Sequence, residues 1–185
     1  MLRSPPEHLI LALVLLAFAI VAAGLVLSLR ALAVTGVPVR SAPEEAVAAA
    51  LDLLELRDGE RFCDLGCGHG QVLVAARRRA QVQALGFELN PGVALPAKLR
   101  CLTDRAVRVR CADSRRADLT GVTALYAYLM PKPMAELEPI LARLPEGTRL
   151  VSVEFALPHL VPVATREVGP QRQPVRLYQV GGQRM

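Results

Sequence analysis

Three acidic residues, each closing an apolar run, carry the strongest chemical signal in this 185-residue chain: Asp64, Glu88 and Asp113. The first opens Asp64-Leu65-Gly66-Cys67-Gly68-His69-Gly70, a D-x-G-x-G-x-G run directly after Phe62-Cys63. Glycines at this spacing permit a tight strand-to-helix turn and a close backbone approach to a ligand. The helix that follows offers free N–H groups in its first turn. A phosphate loop is excluded because no G-K-[ST] follows, and a dinucleotide loop, G-x-G-x-x-G, is one residue longer. Glu88 closes Leu85-Gly86-Phe87-Glu88, 18 residues after Gly70. A carboxylate there can accept both hydroxyls of a ribose. Asp113, within Arg110-Cys111-Ala112-Asp113-Ser114, can accept from an adenine amino group. Each feature also has a plainer reading, as a glycine-rich turn, a helix N-terminal acid and an N-cap. Together they end three successive strands, which brings them to the carboxyl edge where α/β sheets bind ligands.

The elements that position these acids alternate. Ser41-Ala42-Pro43-Glu44 reads as a capping box opening a helix over Glu44–Leu56. Strands are expected over Arg61–Leu65, Ala84–Leu89, Val107–Cys111, Ala124–Met130 and Arg149–Phe155. Helices are expected over Gln71–Arg79, from Asn90-Pro91 to near Leu102, and over Met134–Leu144. Two short strands, around Val161–Val163 and Val175–Val180, close the chain. This pattern predicts an α/β fold, a doubly wound and mostly parallel sheet with an antiparallel hairpin at its C-terminal edge.

Composition adds a second part. The chain is 52% hydrophobic, only 21% charged, and has a mean hydropathy of +0.34, which excludes a disordered protein. The excess comes from Leu9–Leu29, which contains no charged residue. Its 21 residues match a hydrocarbon core about 30 Å thick. Ala31-Leu32-Ala33 resembles a cleavage site, but a signal-peptide core is normally about 7–15 residues. The expectation is an uncleaved anchor over 9–29, after a short flank at 1–8 and before a linker at 30–40 and one domain at 41–185. Arg30 and Arg40 follow the apolar run with no acid before Glu44, whereas Arg3 is offset by Glu7. The positive-inside tendency then puts the domain on the cytoplasmic side of a prokaryotic inner membrane.

The net charge is +5, with arginines dense at 77–79 and 105–116. No aromatic residues are interleaved to stack bases, so a solvated or lipid-facing basic surface is expected and nucleic acid is not. Cys63, Cys67, Cys101 and Cys111 lack C-x-x-C spacing, so no metal site is expected.

The series D-L-G-C-G-H-G, G-F-E-L-N-P and C-A-D-S resembles the motifs of class I S-adenosyl-L-methionine-dependent methyltransferases, over Ser41 to about Phe155. The resemblance implies that Gly66, Gly68 and Gly70 wrap the methionine moiety, with Asp64 near its ammonium. It implies that Glu88 holds the ribose and Asp113 the adenine. Leu65, Cys67, Leu89 and Ser114 flank these positions as further cofactor-binding candidates. The fourth strand lacks [DN]-P-P-[YF], which argues against base or amide acceptors. With the anchor, Tyr128-Leu129-Met130-Pro131 and Leu150–Pro158, the chain is similar to the membrane-anchored protein-lysine N-methyltransferases related to the mitochondrial enzymes that modify the ATP synthase c subunit and the adenine nucleotide translocase, together with their prokaryotic relatives. It departs from their P-[FY]-V-P-[TS] segment, reading Val37-Pro38-Val39-Arg40-Ser41 instead. The implied acceptor is a lysine of a membrane-associated protein, with a quinone or lipid as an alternative. A non-catalytic, tethered cofactor-binding module is a third reading. Tyr128 is the candidate for orienting the amine, or else a core aromatic; Met130 and Pro131 face the acceptor. No general base stands out among these residues.

Overall fold

The computed structural model describes residues 7–35 and 40–181. Helix α1 (Glu7–Thr35) precedes α2 (Glu44–Leu54), β1 (Arg61–Asp64), α3 (Gln71–Arg79), β2 (Gln83–Glu88), α4 (Pro91–Arg100) and β3 (Val107–Cys111). Then come β4 (Ala124–Ala127), α5 (Pro131–Leu141), β5 (Arg149–Val153), β6 (Ala164–Val168) and β7 (Gln173–Gln179). The strands form one sheet in the order β3-β2-β1-β4-β5-β7-β6. Strands β1 to β5 are parallel, and β7 runs antiparallel to both β5 and β6. The expected architecture is therefore present.

Strand order explains where a ligand can sit. From β1 the chain winds outward through α3 to β2 and through α4 to β3, then returns to β4 on the other side of β1. Right-handed crossovers put helices of opposite winding on opposite faces. Accordingly, α2 and α3 pack on one core with Phe62, Tyr126 and Val151, and α5 packs on the other with Cys63, Leu125 and Leu150. The reversal between β1 and β4 opens a crevice at the carboxyl edge.

Several boundaries differ from expectation. The capping box does not form: Pro43 is the N-cap of α2, with no side-chain cap bond, and Ser41 is exposed outside the helix. The Pro43 carbonyl instead accepts from Ala46 and Val47 at 3.0 Å each, while Glu44 and Glu45 complement the positive end of the helix. Strand β4 stops at Ala127, because Pro131 suits the first helical turn and starts α5 three residues before Met134. The strand expected at Val161–Val163 lies instead at Ala164–Val168, since Pro162 has no N–H to give to the ladder. Helix α1 continues beyond Leu29 to Thr35, and residues 36–39 of the expected linker fall outside the described residues.

Two glycines explain the tight packing behind the first crossover. Gly70, the N-cap of α3, has a φ of 80°, and a side chain there would also crowd Cys101 Sγ at 3.3 Å. On β2, a side-chain carbon at Gly86 would stand 2.6 Å from Leu73 Cδ1 and 2.8 Å from Cys67 Sγ. Gly86→Ala is expected to cost about 1–3 kcal/mol through overpacking. Thermal unfolding should show a drop of roughly 2–4 °C for each kcal/mol; an unchanged midpoint would mean that Leu73 and Cys67 move aside freely.

Candidate active site

The three acids reach the carboxyl edge as their strands end. Asp64 is the last residue of β1, Glu88 the last of β2, and Asp113 follows β3 by two residues. Parallel register pairs Asp64 with Gly86 and Glu88 with Cys111, so Glu88 stands two residues further out than Asp64. Between them the glycine loop turns into α3, pinned where the Cys67 N–H donates to the Phe87 carbonyl at 2.8 Å.

A cleft of about 570 Å³ opens along this edge. Among the residues singled out from sequence, Leu65, Gly66, Gly68, Glu88, Leu89, Asp113, Ser114, Tyr128 and Met130 line it. Asp64, Cys67, Gly70 and Pro131 do not. Cys67 turns inward beneath Gly86, where burial pushes its thiol up and leaves it a core side chain. Pro131 is exposed and turned away from the cleft, although its neighbours Met130, Lys132 and Pro133 line it.

Glu88 is held in position by the backbone. Its Oε2 accepts the Gly68 N–H at 3.1 Å and its Oε1 accepts the Asn90 N–H at 2.8 Å. A carboxylate offers about four acceptor sites, so each oxygen keeps a lone pair for a ligand. The Asn90 side chain caps α4 by accepting from the Gly92 N–H at 2.9 Å. Asp113 caps a 3₁₀ turn over Ser114–Arg116. Its carboxylate is gripped by the Arg115 guanidinium, at 2.9 Å to Oδ1 and 2.7 Å to Oδ2. That grip holds the Asp113 carboxyl below the usual range. Arg115 also reaches Glu136 on α5 at 2.6 Å, tying the two lips of the cleft.

Asp64 is buried, at 1% exposure, and its Oδ1 accepts the Gly66 N–H at 3.4 Å. Burial pushes its carboxyl up to about 7; the Gly66 N–H opposes this, and the nearby Glu88 charge adds to it. The unfolded value is near 4, so the folded state carries an extra proton between those limits. Stability therefore falls as pH rises from about 4 to about 7. Asp64→Asn should flatten that profile, recovering on the order of 4 kcal/mol above pH 7, as measured by denaturant unfolding across the range. An identical slope in the variant would contradict it.

Behind the fourth wall stands a residue not apparent from sequence, Glu154. Tyr128 follows β4, and its hydroxyl donates to Glu154 Oε2 at 2.8 Å. Glu154 also accepts from Gln173 Nε2 at 3.1 Å and faces Arg40 Nη1 at 3.5 Å. The Arg40 guanidinium lies over the Tyr128 ring, 5.8 Å from its centroid. Glu154 holds a φ of 68°, an uncommon conformation for a residue with a side chain. Burial and the Glu154 carboxylate together raise the Tyr128 hydroxyl above its ordinary value. Among the described residues, no group of three His, Cys, Asp or Glu side chains is arranged to hold a metal.

The residues fit an adenosine-bearing sulfonium ligand: two backbone-pinned carboxylate oxygens at the ribose position, a glycine turn beside them, and a cleft in the size range of ligand sites, about 300–1,000 Å³. Fold and cleft together define an S-adenosyl-L-methionine-dependent methyltransferase. The family model described as the ANTKMT methyltransferase domain matches residues 64–164. The chain belongs to that family.

Two curated relatives of the chain are named as lysine methyltransferases. It is 36% identical over 155 residues to an adenine nucleotide translocase lysine N-methyltransferase from Mus musculus, covering 79% of this chain and 64% of the mouse protein. It is 30% identical over 153 residues to a protein-lysine N-methyltransferase from Saccharolobus islandicus, covering 78% of this chain and 94% of that protein. Among solved structures, an RNA methyltransferase from Salinibacter ruber in complex with S-adenosyl-L-homocysteine superposes with a TM-score of 0.71 and 26% identity. That match covers 76% of this chain and 94% of the other.

Proposed function

We propose that this chain is a single-pass membrane protein that methylates a lysine side chain of a membrane-associated protein, with its domain at the cytoplasmic face of a prokaryotic inner membrane. The observation that carries the acceptor assignment is Tyr128 on the cleft wall, its hydroxyl held from behind by Glu154. The named activity of the Saccharolobus relative supports it. The membrane assignment rests on α1, which contains a stretch over His8–Val26 long and apolar enough to cross a bilayer. Arg30 and Arg40 on its C-terminal side support the orientation.

Bound S-adenosyl-L-methionine supplies a sulfonium methyl group, displaced in line by a neutral amine while the sulfur keeps the bonding pair. The protein has mainly to orient the two partners. Glu88 would hold the ribose through its free lone pairs, and Asp64, buried behind the Gly66 turn, would act on the methionine ammonium through its charge, which would offset the cost of burying an ionised carboxylate. Asp113, kept ionised by Arg115, accepts at the adenine edge. Tyr128 keeps its proton, donates it in a hydrogen bond to Glu154 and would so turn its oxygen lone pairs toward the N–H of the entering amine. The apolar wall of Leu129 and Met130 favours the neutral amine by desolvation. After transfer the nitrogen carries one proton too many, which it releases to water.

The test is incubation of the full chain with methyl-labelled cofactor and membranes from cells lacking it. Label is expected in the protein fraction as methyl-lysine, identified by mass spectrometry. Label in the lipid extract would identify a lipid or quinone acceptor instead. Cofactor binding with no transfer at all would reduce the chain to a binding module.

A further inference from the structure

Helix α4 is packed inside out. Toward the sheet it buries small residues, Val93, Ala94 and Ala97, while its large ones face outward. Leu95 and Leu99, one turn apart, are 59% and 63% exposed, and Leu102, just past the helix end, is 74% exposed. Single exposed leucines are ordinary, but a row along one helix marks a contact surface. Lys98, Arg100 and Arg105 stand exposed beside the row, and the one acid among them, Asp104, is engaged by Arg77. Helix α1 lies against α4 and leaves these leucines uncovered. A helix with leucines on one face and cations beside them is the kind that settles into the boundary between headgroups and acyl chains. The basic side chains complement anionic lipid.

We propose that the outer face of α4 is a bilayer-docking surface for anionic lipid, which seats the methyltransferase domain on the membrane. This rests on the reading of α1 as a membrane anchor and adds a second contact to it. Leu89, exposed at the rim of the cleft, stands two residues before α4. Docking through α4 would therefore bring the cleft mouth close to the lipid surface, where a lysine at the end of a membrane helix would be found.

The chain contains no tryptophan, so one introduced residue reports its own surroundings. The experiment reconstitutes full-length Leu99→Trp into phosphatidylcholine vesicles with and without phosphatidylglycerol, using brominated lipid as quencher. Gln171→Trp, in the exposed turn between β6 and β7, serves as the control. With phosphatidylglycerol present, the tryptophan at 99 should emit to the blue and lose about half its intensity to brominated chains, consistent with an apolar face sunk about 5–10 Å into the interface. The tryptophan at 171 should be unaffected. Adding Lys98→Gln, Arg100→Gln and Arg105→Gln should return position 99 toward the control. Protein that floats with the vesicles while position 99 stays unquenched would overturn the docking surface and leave the anchor standing. Protein that does not float at all would overturn both.

Discussion

Replacing Glu88 with Ala is expected to weaken S-adenosyl-L-methionine binding by roughly ten- to a hundredfold, the loss of one or two hydrogen bonds to a charged acceptor. The size follows from the geometry. Glu88 is fixed by the Gly68 and Asn90 N–H groups, so its remaining lone pairs are already aimed and little entropy is lost on binding. Removing the carboxylate also leaves the Gly68 N–H without its acceptor in the glycine loop that lines the cleft. Glu88→Gln keeps one acceptor oxygen and should lose less. Calorimetric titration of the full chain measures both, with circular dichroism to confirm folding. Wild-type affinity in a folded Glu88→Ala protein would remove the ribose assignment.

The second large effect concerns turnover. Tyr128→Phe and Glu154→Ala should each lower kcat by about ten- to a hundredfold while leaving cofactor affinity within about twofold, if the Tyr128 hydroxyl that Glu154 holds serves the acceptor as proposed. Glu154→Gln, which still accepts from the tyrosine, should fall between. The backbone at Glu154 provides an internal control. A residue with a side chain costs about 1 kcal/mol or more in the left-handed region, where glycine does not. Glu154→Gly should therefore be more stable than Glu154→Ala by about that amount and equally inactive. Wild-type kcat in all four variants would return Tyr128 to the role of an ordinary wall residue. A loss of cofactor affinity instead would shift the pair to the ligand side.

Much of the cofactor side was readable along the chain because its residues are local to strand ends. Asp64, the glycines and Glu88 lie within 25 residues and belong to one strand-turn-helix-strand unit. A strand end next to a glycine turn has few places to go. The acceptor side was not readable in this way. Glu154 lies 26 residues from Tyr128, and they meet because β5 pairs beside β4 and the chain turns sharply after Val153. No spacing rule predicts that meeting. Asp113 lies between: its place in the cleft followed from the strand pattern, but its capture by Arg115 depends on side-chain torsions. Cys67 shows the converse. It sits inside the motif, yet Gly86 on the adjacent strand opens a pocket that draws its thiol into the core.

The sequence alone determined the order of strands and helices, the apolar stretch and the identity of the acids at the strand ends. Hydrophobic periodicity and backbone stereochemistry act over a few residues and are written in neighbouring positions. Tertiary structure decided which of those residues line the cleft, which turn away, and what Tyr128 leans on. It also showed that α4 turns its leucines outward. Its pattern of apolar residues permits either face to be buried, and the sheet accepted the one with the smaller side chains.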